Sequence, residues 1–439
     1  MKKQMKLVLY IVFTSLLLIS CSDDSDSNPV DDNGGKKAVV KGRVTDNDGY
    51  GNGLNKLSAG IEGASVTTAE IQSNGTLSTT SEANVQTNTN GEFAVNTSST
   101  GKSNVVVVAT KGTSEWKALI SSSITAASDN YCPPLNNETI AEVDVYSEVV
   151  ADNKAQIVGY HDVAFHVSSQ IAAKIRSNIV TKTEVKNAIV SKVEARAAAF
   201  MNTHYGYSNA QYEEAKKVDE DSQKEFERDL YFSNDNEASY RAVWEKYFNA
   251  RVSGYSNTSI AMTHYAQSEE ISGKAMLKFN SNIESESMFE LAKRNAYLKA
   301  KLIARAMIEE HDKAGGDQQH RQNVEEENNN LLLAIRNSSS ISGINQAYVN
   351  YRSAIKANVK SSFNTIATSL TIIEAAIETT IKTSLDASVA AAANIQSLIS
   401  AYTTFYAGVH TTVNGELNLP NSAQVEAIAN MYALMYMHN

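Results

Sequence analysis

The chain has very little proline. Its 439 residues include only Pro29, Pro133, Pro134 and Pro420, so residues 135–419 contain none. Because proline costs about 3 kcal/mol inside a helix, a stretch of this length without it predicts mostly helix. Glycine is dense from Gly34 to Gly112 and sparse later, which predicts a turn-rich fold for the first part of the chain.

Clustered basic residues are also missing. The chain has 39 Lys and Arg against 49 Asp and Glu, which gives a formal net charge of −10. A nucleic-acid surface gathers lysines and arginines on one face, and no such run is present. We therefore expect no nucleic-acid partner.

The first twenty residues have the pattern of a signal peptide. Lys2, Lys3 and Lys6 precede an apolar run from Leu7 to Ile19. As a helix, this run would be about 20 Å long, whereas a bilayer core is roughly 30 Å thick. Residues 1–20 are therefore predicted to be a removable signal peptide and not a membrane span.

The residues that end this run, Leu18-Ile19-Ser20-Cys21, resemble the lipobox of bacterial lipoproteins. The resemblance implies cleavage before Cys21 and acylation of its thiol, so that lipid holds the protein in a membrane. The mature chain would then carry 36 basic and 49 acidic side chains, a net charge of −13. Cys132 would have no disulfide partner and is expected simply to be buried. The alternative is an ordinary secreted protein.

An acidic run follows the lipobox. Ser22-Asp23-Asp24-Ser25-Asp26 is similar to the export signal of surface lipoproteins of Bacteroidetes. That resemblance implies an outer-membrane protein, lipid-anchored and exposed at the cell surface, although a solvated tether explains the same residues. Residues 21–37 are mainly Asp, Ser, Asn and Gly and are predicted to be a lipidated, disordered tether.

Short β-prone runs separated by turn residues begin at Ala38. They predict a small antiparallel β-sandwich over residues 38–148, with a hairpin-type turn at Asn90-Gly91. The runs Lys41–Asp46, Ile61–Val66 and Thr87–Phe93 resemble the carboxypeptidase regulatory-like, transthyretin-type β-sandwich, which implies a non-catalytic spacer or docking module. Two long inserts, Tyr50–Ala59 and Gln72–Glu82, are expected to be loops. The predicted strands are Val39–Thr45, Ala64–Thr68, Glu92–Val95, Val105–Ala109 and Trp116–Ile120.

The rest of the chain, residues 149–439, is predicted to be an all-α helical bundle with one or more long helices. A last extended piece is expected through Val145, with helix from about Ala151. Thr181 with Glu184, and Ser208 with Gln211, have capping-box spacing, whereas Gly254 and Gly315-Gly316 indicate helix ends. The predicted helices are 151–179, 182–202, 208–230, 236–252, 258–313, 318–336, 344–410 and 422–437.

The stretch from Ile344 to Ala407 contains neither Gly nor Pro. Its apolar residues recur every three or four positions from Ile366 to Val409, a period of roughly 3.6 that is typical of a straight helix. A continuous helix would be about 100 Å long, and a break is the alternative. The low charge of this part favours the centre of an antiparallel bundle, with an elongated oligomer as the second interpretation.

Sequence motifs give no catalytic, cofactor or metal residue. Asp46-Asn47-Asp48-Gly49 could offer carboxylates to Ca²⁺, but Leu57 stands where an EF-hand has its Glu, so a β-turn is preferred. Gly159-Tyr160-His161 partly resembles the G-x-H-x-x-E motif of imelysin-like proteins, which are helical, exported and often lipid-anchored. Ala164 occupies the position of its Glu. On a helix, His161 and His166 would point about 140° apart, which is poor geometry for one metal.

Other polar clusters have simple structural explanations. Glu309-Glu310-His311 and the pair Asp317 with His320 do not supply the repeated Glu-x-x-His of a di-iron bundle, and Glu325-Glu326-Glu327 is predicted to be a solvated face. Tyrosines could stack on sugars or, as we prefer, line bundle crevices with their hydroxyls at the surface. Those close together in sequence are Tyr205, Tyr207, Tyr212, Tyr231, Tyr240, Tyr247 and Tyr255.

These patterns predict a surface lipoprotein that acts as a non-catalytic binding or envelope-assembly component through its helical part. Cys21, the lipidation site, is the one functional residue assigned. The expected partners are the membrane, through the N-terminal lipid, and a protein or glycan. The alternative function is an enzyme or a metal- or haem-uptake protein with an imelysin-like site inside the bundle.

Overall fold

The computed structural model describes residues 38–50, 59–81, 83–126, 129–202, 206–233, 236–417 and 419–438. The predicted signal peptide, Cys21 and the tether lie outside these ranges. The residues from 37 onward form one compact unit. Every helix in the described ranges is too short or too polar to cross a lipid bilayer.

The first described residues form two β-sheets, as predicted. One sheet has the order β5-β1-β8, and the other has the order β3-β2-β6-β7, with β4 also paired to β2. All pairs are antiparallel except β1 with β8. The strands are β1 (Ala38–Arg43), β2 (Ser65–Ile71), β3 (Leu77–Thr79), β4 (Val85–Gln86), β5 (Glu92–Thr97), β6 (Val105–Lys111), β7 (Ser114–Ile120) and β8 (Asn130–Tyr131).

Strand β6 of the second sheet is buried on both faces along most of its length. Val105 and Val107 of β6 point into the core shared with Val40 of the first sheet. Val106 points the other way and packs with Tyr146 in the helical part. This is why β6 is a continuous apolar run and not an alternating one. Cys132 is buried in the sandwich core with a free thiol, as expected.

Two details of the β region bear on the predictions. The Asn90-Gly91 turn is confirmed: Gly91 has φ 77°, and a Cβ there would lie 2.3 Å from the Val44 carbonyl oxygen. The insert Gln72–Glu82 is not purely a loop, because it contains β3, which pairs with β2. Most of the other insert, Tyr50–Ala59, lies outside the described residues.

The remainder is helical, and the predicted fold class is confirmed. The longest helix, α8, has 29 residues and is about 44 Å long. The helices are α1 (Asn137–Ala151), α2 (Tyr160–His166), α3 (Ser169–Arg176), α4 (Lys182–Asn202), α5 (Asn209–Tyr231), α6 (Glu237–Ser256), α7 (Met262–Phe279), α8 (Ser285–Lys313), α9 (Gln318–Asn337), α10 (Ile341–Ser362), α11 (Ala367–Ala376), α12 (Lys382–Ala391), α13 (Ile395–Glu416) and α14 (Ser422–Tyr436).

Helix begins earlier than predicted. The expected extended piece through Val145 is wrong, because α1 starts at Asn137, where Asn136 and Thr139 form a capping box. The predicted helix 151–179 is also wrong and consists of loops with α2 and α3. Helix α1 packs on β7, and the division into domains at residues 148 and 149 stays a prediction.

Capping chemistry divides the predicted helix 258–313 in two. Asn280 ends α7, and the Glu284 carboxylate accepts hydrogen bonds from the backbone N–H groups of Glu286 and Ser287 at the start of α8. The capping boxes at Thr181 and Ser208 are confirmed. The prediction that a helix ends at Gly254 is wrong, because this residue lies inside α6. Glycine suits this position, since a Cβ there would be 2.5 Å from Val218 of α5.

The stretch 344–410 is not one helix. It breaks at Phe363, before a 3₁₀ turn at Asn364–Ile366, and again at Ala392, before Asn394 caps α13. A π-helical turn at Ile377–Ile381 joins α11 to α12. The chain folds back on itself, so buried Leu370, Ile373 and Leu385 share one apolar core with Leu398, Tyr402 and Val409 of α13.

Candidate functional site

A cleft of about 300 Å³ lies between α6 and α8, and we call it the α6–α8 cleft. Both helices line it with residues spaced i, i+3, i+4 and i+7, which is one face of each helix over about 10 Å. The end of α9, the start of α3 and Tyr50 close the cleft. The stripes are Arg241, Trp244, Glu245 and Phe248 on α6, and Glu290, Lys293, Arg294 and Tyr297 on α8.

Arg294 is held in place from three sides. Its guanidinium carbon lies 3.9 Å from the ring centroid of Trp244, a cation–π contact. Its Nη2 donates to Glu138 Oε1 of α1 at 2.8 Å, and its Nη1 donates to backbone carbonyls at the end of α2, among them Ala164 at 3.2 Å. The cation therefore satisfies the C-terminal carbonyls of α2 and fixes one wall of the cleft.

A second polar group surrounds Glu245. Its carboxylate accepts hydrogen bonds from Lys301 Nζ at 2.5 Å, the Tyr297 hydroxyl at 2.9 Å and Arg336 Nη2 at 2.9 Å. Burial opposes ionisation, but the hydrogen bond and charge of Lys301 lower the pKa of Glu245. Glu245 is therefore an anion shared by two cations.

Glu290 is the other carboxylate of the cleft. Among the described residues it has neither a hydrogen-bond nor an ion-pair partner. Burial raises the pKa of Glu290, and the charges of Lys293 and Arg294 offset only part of that effect. Lys293 is occupied elsewhere, because its Nζ donates to the carbonyl of Ser338 at the end of α9, 3.1 Å away. Glu290 is therefore free to accept hydrogen bonds from a bound molecule.

The β region contributes Tyr50 to the cleft. Its hydroxyl donates to the Pro134 carbonyl at 2.6 Å, and its backbone N–H donates to Glu138 Oε2 at 2.6 Å. Glu138 thus holds Tyr50 and Arg294 together. The lining offers fixed aromatic walls, hydrogen-bond donors and, among the described residues, one carboxylate without a partner, and this composition suits a ligand rich in hydroxyl groups.

A buried charged cluster lies among α4, α5, α6 and α7. Asp219 is fully buried and accepts hydrogen bonds from Arg196 at 2.5 Å, from Arg251 at 2.9 Å and from the Tyr255 hydroxyl. Glu269 lies 3.1 Å from Lys192 and 2.9 Å from Arg196. Burial opposes ionisation, but the charges of Arg196 and Arg251 hold the pKa of Asp219 well below its ordinary value. Such a cluster fixes the relative positions of four helices.

The partly imelysin-like motif lies at the start of α2. Asp162 accepts a hydrogen bond from the backbone N–H of Gly159 at 2.9 Å, so it caps the helix, and His161 lies 3.4 Å from Asp162. His166 Nδ1 bonds the Leu291 carbonyl at 2.8 Å, and burial lowers the pKa of this imidazole. These residues support helix packing, and an imelysin-like site stays a prediction.

The other candidate ligand sets also have structural partners. Asp317 caps α9 and bonds both the backbone N–H and the ring of His320, and the side chain of His311 lies 3.0 Å from the Ser362 hydroxyl. Asn47 accepts a hydrogen bond from Gly49 N–H, as a turn residue does. Among the described residues, no three His, Cys, Asp or Glu side chains are grouped so that they could hold a metal ion.

The tyrosines are more buried than expected. Of those named above, Tyr212, Tyr240, Tyr247 and Tyr255 pack into the buried core of the bundle and do not line crevices at its surface. Their hydroxyls are not generally at the surface, since the Tyr255 hydroxyl reaches Asp219 inside the protein. Tyr205 lies outside the described residues.

Sequence reasoning missed the α6–α8 cleft and the buried charged cluster. The signal for the cleft was the same i, i+3, i+4, i+7 mixture of aromatic and charged residues on two neighbouring helices. For the cluster it was the i, i+4 pair Lys192 and Arg196 within the apolar face of α4. The chain matches no protein-family model, no curated protein and no solved structure.

Proposed function

We propose that this protein is a lipid-anchored envelope protein that binds a glycan in the α6–α8 cleft. The anchor rests on the lipobox-like Leu18–Cys21, and the binding function rests on the chemistry of the cleft. Tyr50, Trp244, Phe248 and Tyr297 supply flat apolar walls. Arg336, Gln170, Asn337 and Glu290 supply polar groups that pair with sugar hydroxyls.

The proposal rests on one observation: neighbouring side chains already hold most of these groups in place before a ligand binds. Trp244 is stacked on Arg294, and Tyr297 is hydrogen-bonded to Glu245. A ligand therefore meets ordered walls and does not have to order them, which lowers the entropic cost of binding.

Intrinsic fluorescence offers a direct test. The chain has two tryptophans, Trp116 and Trp244, so the Trp116→Phe variant reports on the cleft alone. We expect glycans that bind on an array to change Trp244 emission in a saturable way. If no glycan does so with the folded protein, the proposed function is wrong.

A pair of variants on α9 separates cleft binding from surface adhesion. Asn337 lines the cleft, whereas Asn330 lies on the same helix, outside the cleft lining. Because a neutral hydrogen bond contributes about 1 kcal/mol, Asn337→Ala should weaken binding about fivefold. Asn330→Ala should bind like the wild type.

A further inference from the structure

The charge of the cleft is opposite to that of the whole chain. Four of the six charged side chains that line the cleft are cationic, whereas the protein carries a formal net charge of −10. Net charge therefore does not draw anions to the protein, and any attraction must come from individual cations of the cleft. Arg241 and Arg294 are already paired with carboxylates outside the lining, Glu237 and Glu138. The four cations are Arg241, Lys293, Arg294 and Arg336, and the two anions are Glu245 and Glu290.

The excess of positive charge is greatest beside Tyr297. Arg336 and Lys301 both bind Glu245, so two cations share one carboxylate. Arg336 uses Nη2 for Glu245 and for the Tyr297 hydroxyl, the latter at 2.6 Å. Its Nε and Nη1 have no acceptor among the described residues, and its side chain is 42% exposed. The three N–H bonds on these two nitrogens are free, and either nitrogen can donate a charge-assisted hydrogen bond to a carboxylate.

The opposite end of the α8 stripe carries an acidic side chain, Glu290, and not a basic one. Glu290 lies seven residues before Tyr297, which is about 10 Å along the helix. Its unpartnered carboxylate accepts hydrogen bonds and repels anions. A ligand that satisfies both ends has an anionic group near Arg336 and hydroxyl groups near Glu290, with more than one sugar ring between them.

We infer that the α6–α8 cleft takes an acidic oligosaccharide, with a uronate carboxylate bound at Arg336 and sugar hydroxyls bound at Glu290. This inference rests on the proposed glycan-binding function and adds the ligand class. It also divides the roles of the two residues: Arg336 selects for the acid, and Glu290 contributes affinity for any sugar chain.

The test uses the full mature protein and matched ligands. Oligosaccharides from hyaluronan and unsulfated chondroitin, in which uronates alternate with neutral sugars, are titrated by calorimetry beside their carboxyl-reduced forms, in which each uronate has become a neutral sugar with the same linkage. We expect at least one acidic oligosaccharide to bind about tenfold more tightly than its reduced form. The preference should weaken as salt is raised.

Variants then assign the roles. Arg336→Gln should remove the preference for the acid, whereas Arg305→Gln, the same charge change at an exposed α8 residue paired with Glu309, should keep it. Glu290→Gln should weaken acidic and reduced ligands alike, and Glu426→Gln, at an exposed position of the mostly buried helix α14, should weaken neither. Circular dichroism and thermal melting confirm that each variant is folded.

The outcomes separate this inference from the proposed function. Equal affinity for acidic and reduced forms overturns the acidic ligand. An Arg336→Gln variant that keeps the preference overturns the binding of the carboxylate at Arg336, and both results leave glycan binding intact. Polyglutamate that binds as tightly as the best uronate also overturns the inference, because the ligand would then be an acidic peptide. If no acidic or neutral glycan binds to the folded protein, both the inference and the proposed function are wrong.

Discussion

Tyr255 donates a hydrogen bond to Asp219 at a point where both side chains are completely buried. Arg196 and Arg251 bind the same carboxylate, so no charge in this group is left without a partner. Pairing a tyrosine hydroxyl with a carboxylate satisfies a buried donor and a buried acceptor together. The described residues repeat this pairing in Tyr160–Glu142, Tyr297–Glu245, Tyr402–Glu270, Tyr432–Glu374 and Tyr436–Glu378.

The Asp219→Ala variant should be strongly destabilised. It leaves Arg196 and Arg251 buried without their shared carboxylate, and breaking a buried ion pair costs about 3–5 kcal/mol. Urea unfolding measures the loss. Asp221→Ala is the control on the same helix, because Asp221 is exposed and forms a surface ion pair with Lys224, and it should cost less than about 1 kcal/mol. Equal losses in the two variants would contradict a structural role for the cluster.

Glu227 should make stability depend on pH. Burial raises the pKa of this carboxyl from 4.5 to about 7, although Ser121 N–H donates to it at 3.0 Å. The unfolded state releases the proton from about pH 4.5, whereas the folded state keeps it to about pH 7. Its contribution to stability is therefore complete below pH 4.5 and is lost as the pH rises to 7, by up to about 1.4 kcal/mol per pH unit.

The measurement is the difference in the free energy of unfolding between the wild type and Glu227→Gln from pH 4.5 to 8. Subtracting one protein's free energy from the other's removes the contribution of the buried histidines. That contribution has the opposite pH dependence, because burial lowers the pKa values of these histidines. Glu225→Gln, an exposed change on the same helix, should show no such trend. A flat difference for Glu227→Gln would show that its carboxyl ionises normally.

Replacing Arg294 should destabilise the protein and open the cleft. Arg294→Met leaves Glu138 without its cation and the α2 carbonyls without their donor, so we expect a loss of about 3–5 kcal/mol in urea unfolding. Trp244 emission should shift to longer wavelength, because water replaces the guanidinium over its ring. Arg305→Met, on the same helix, should change neither quantity by much. A normal spectrum in Arg294→Met would rule out the stacked arrangement.

Lipidation predicts a clear labelling result. Cells fed a labelled fatty acid should transfer label to the wild type and to Cys132→Ala, but not to Cys21→Ala, which should be recovered in the soluble fraction. Cys132 is the natural control, because its thiol is buried in the sandwich core. Equal labelling of Cys21→Ala would remove the basis for the anchor.

Local signals predicted much of the fold. The strands around Glu92–Val95 and Val105–Ala109, and the helix starts at Thr181 and Ser208, follow from period, turn and capping chemistry that act within a few residues. The break at Glu284 was not predicted, and a break within residues 344–410 was only the alternative. Both Glu284 and Asn394 are helix caps, but no glycine or proline marks either position. Absence of these two residue types was therefore a weak guide to continuity.

The candidate site could not be predicted in the same way. Glu290 and Arg336 are 46 positions apart in the sequence, and only the packing of α8 against α9 brings them to one cleft. The burial that leaves Glu290 without a partner is likewise a property of the tertiary fold. A single sequence shows the two helical stripes but not that they face each other.

The π-helical turn at Ile377–Ile381 keeps apolar residues before and after it on the same side of the helix. Ile373 and Leu385 are twelve residues apart, so a regular α-helix would point them about 120° from each other. Both are nevertheless buried in one core, because the wide turn absorbs one residue and reduces the angle to about 20°. Deleting one residue within this turn should therefore give an uninterrupted α-helix with the same buried side. Deleting one residue in the middle of α12 should instead rotate the residues after the deletion by about 100°, so that their apolar side no longer faces the core.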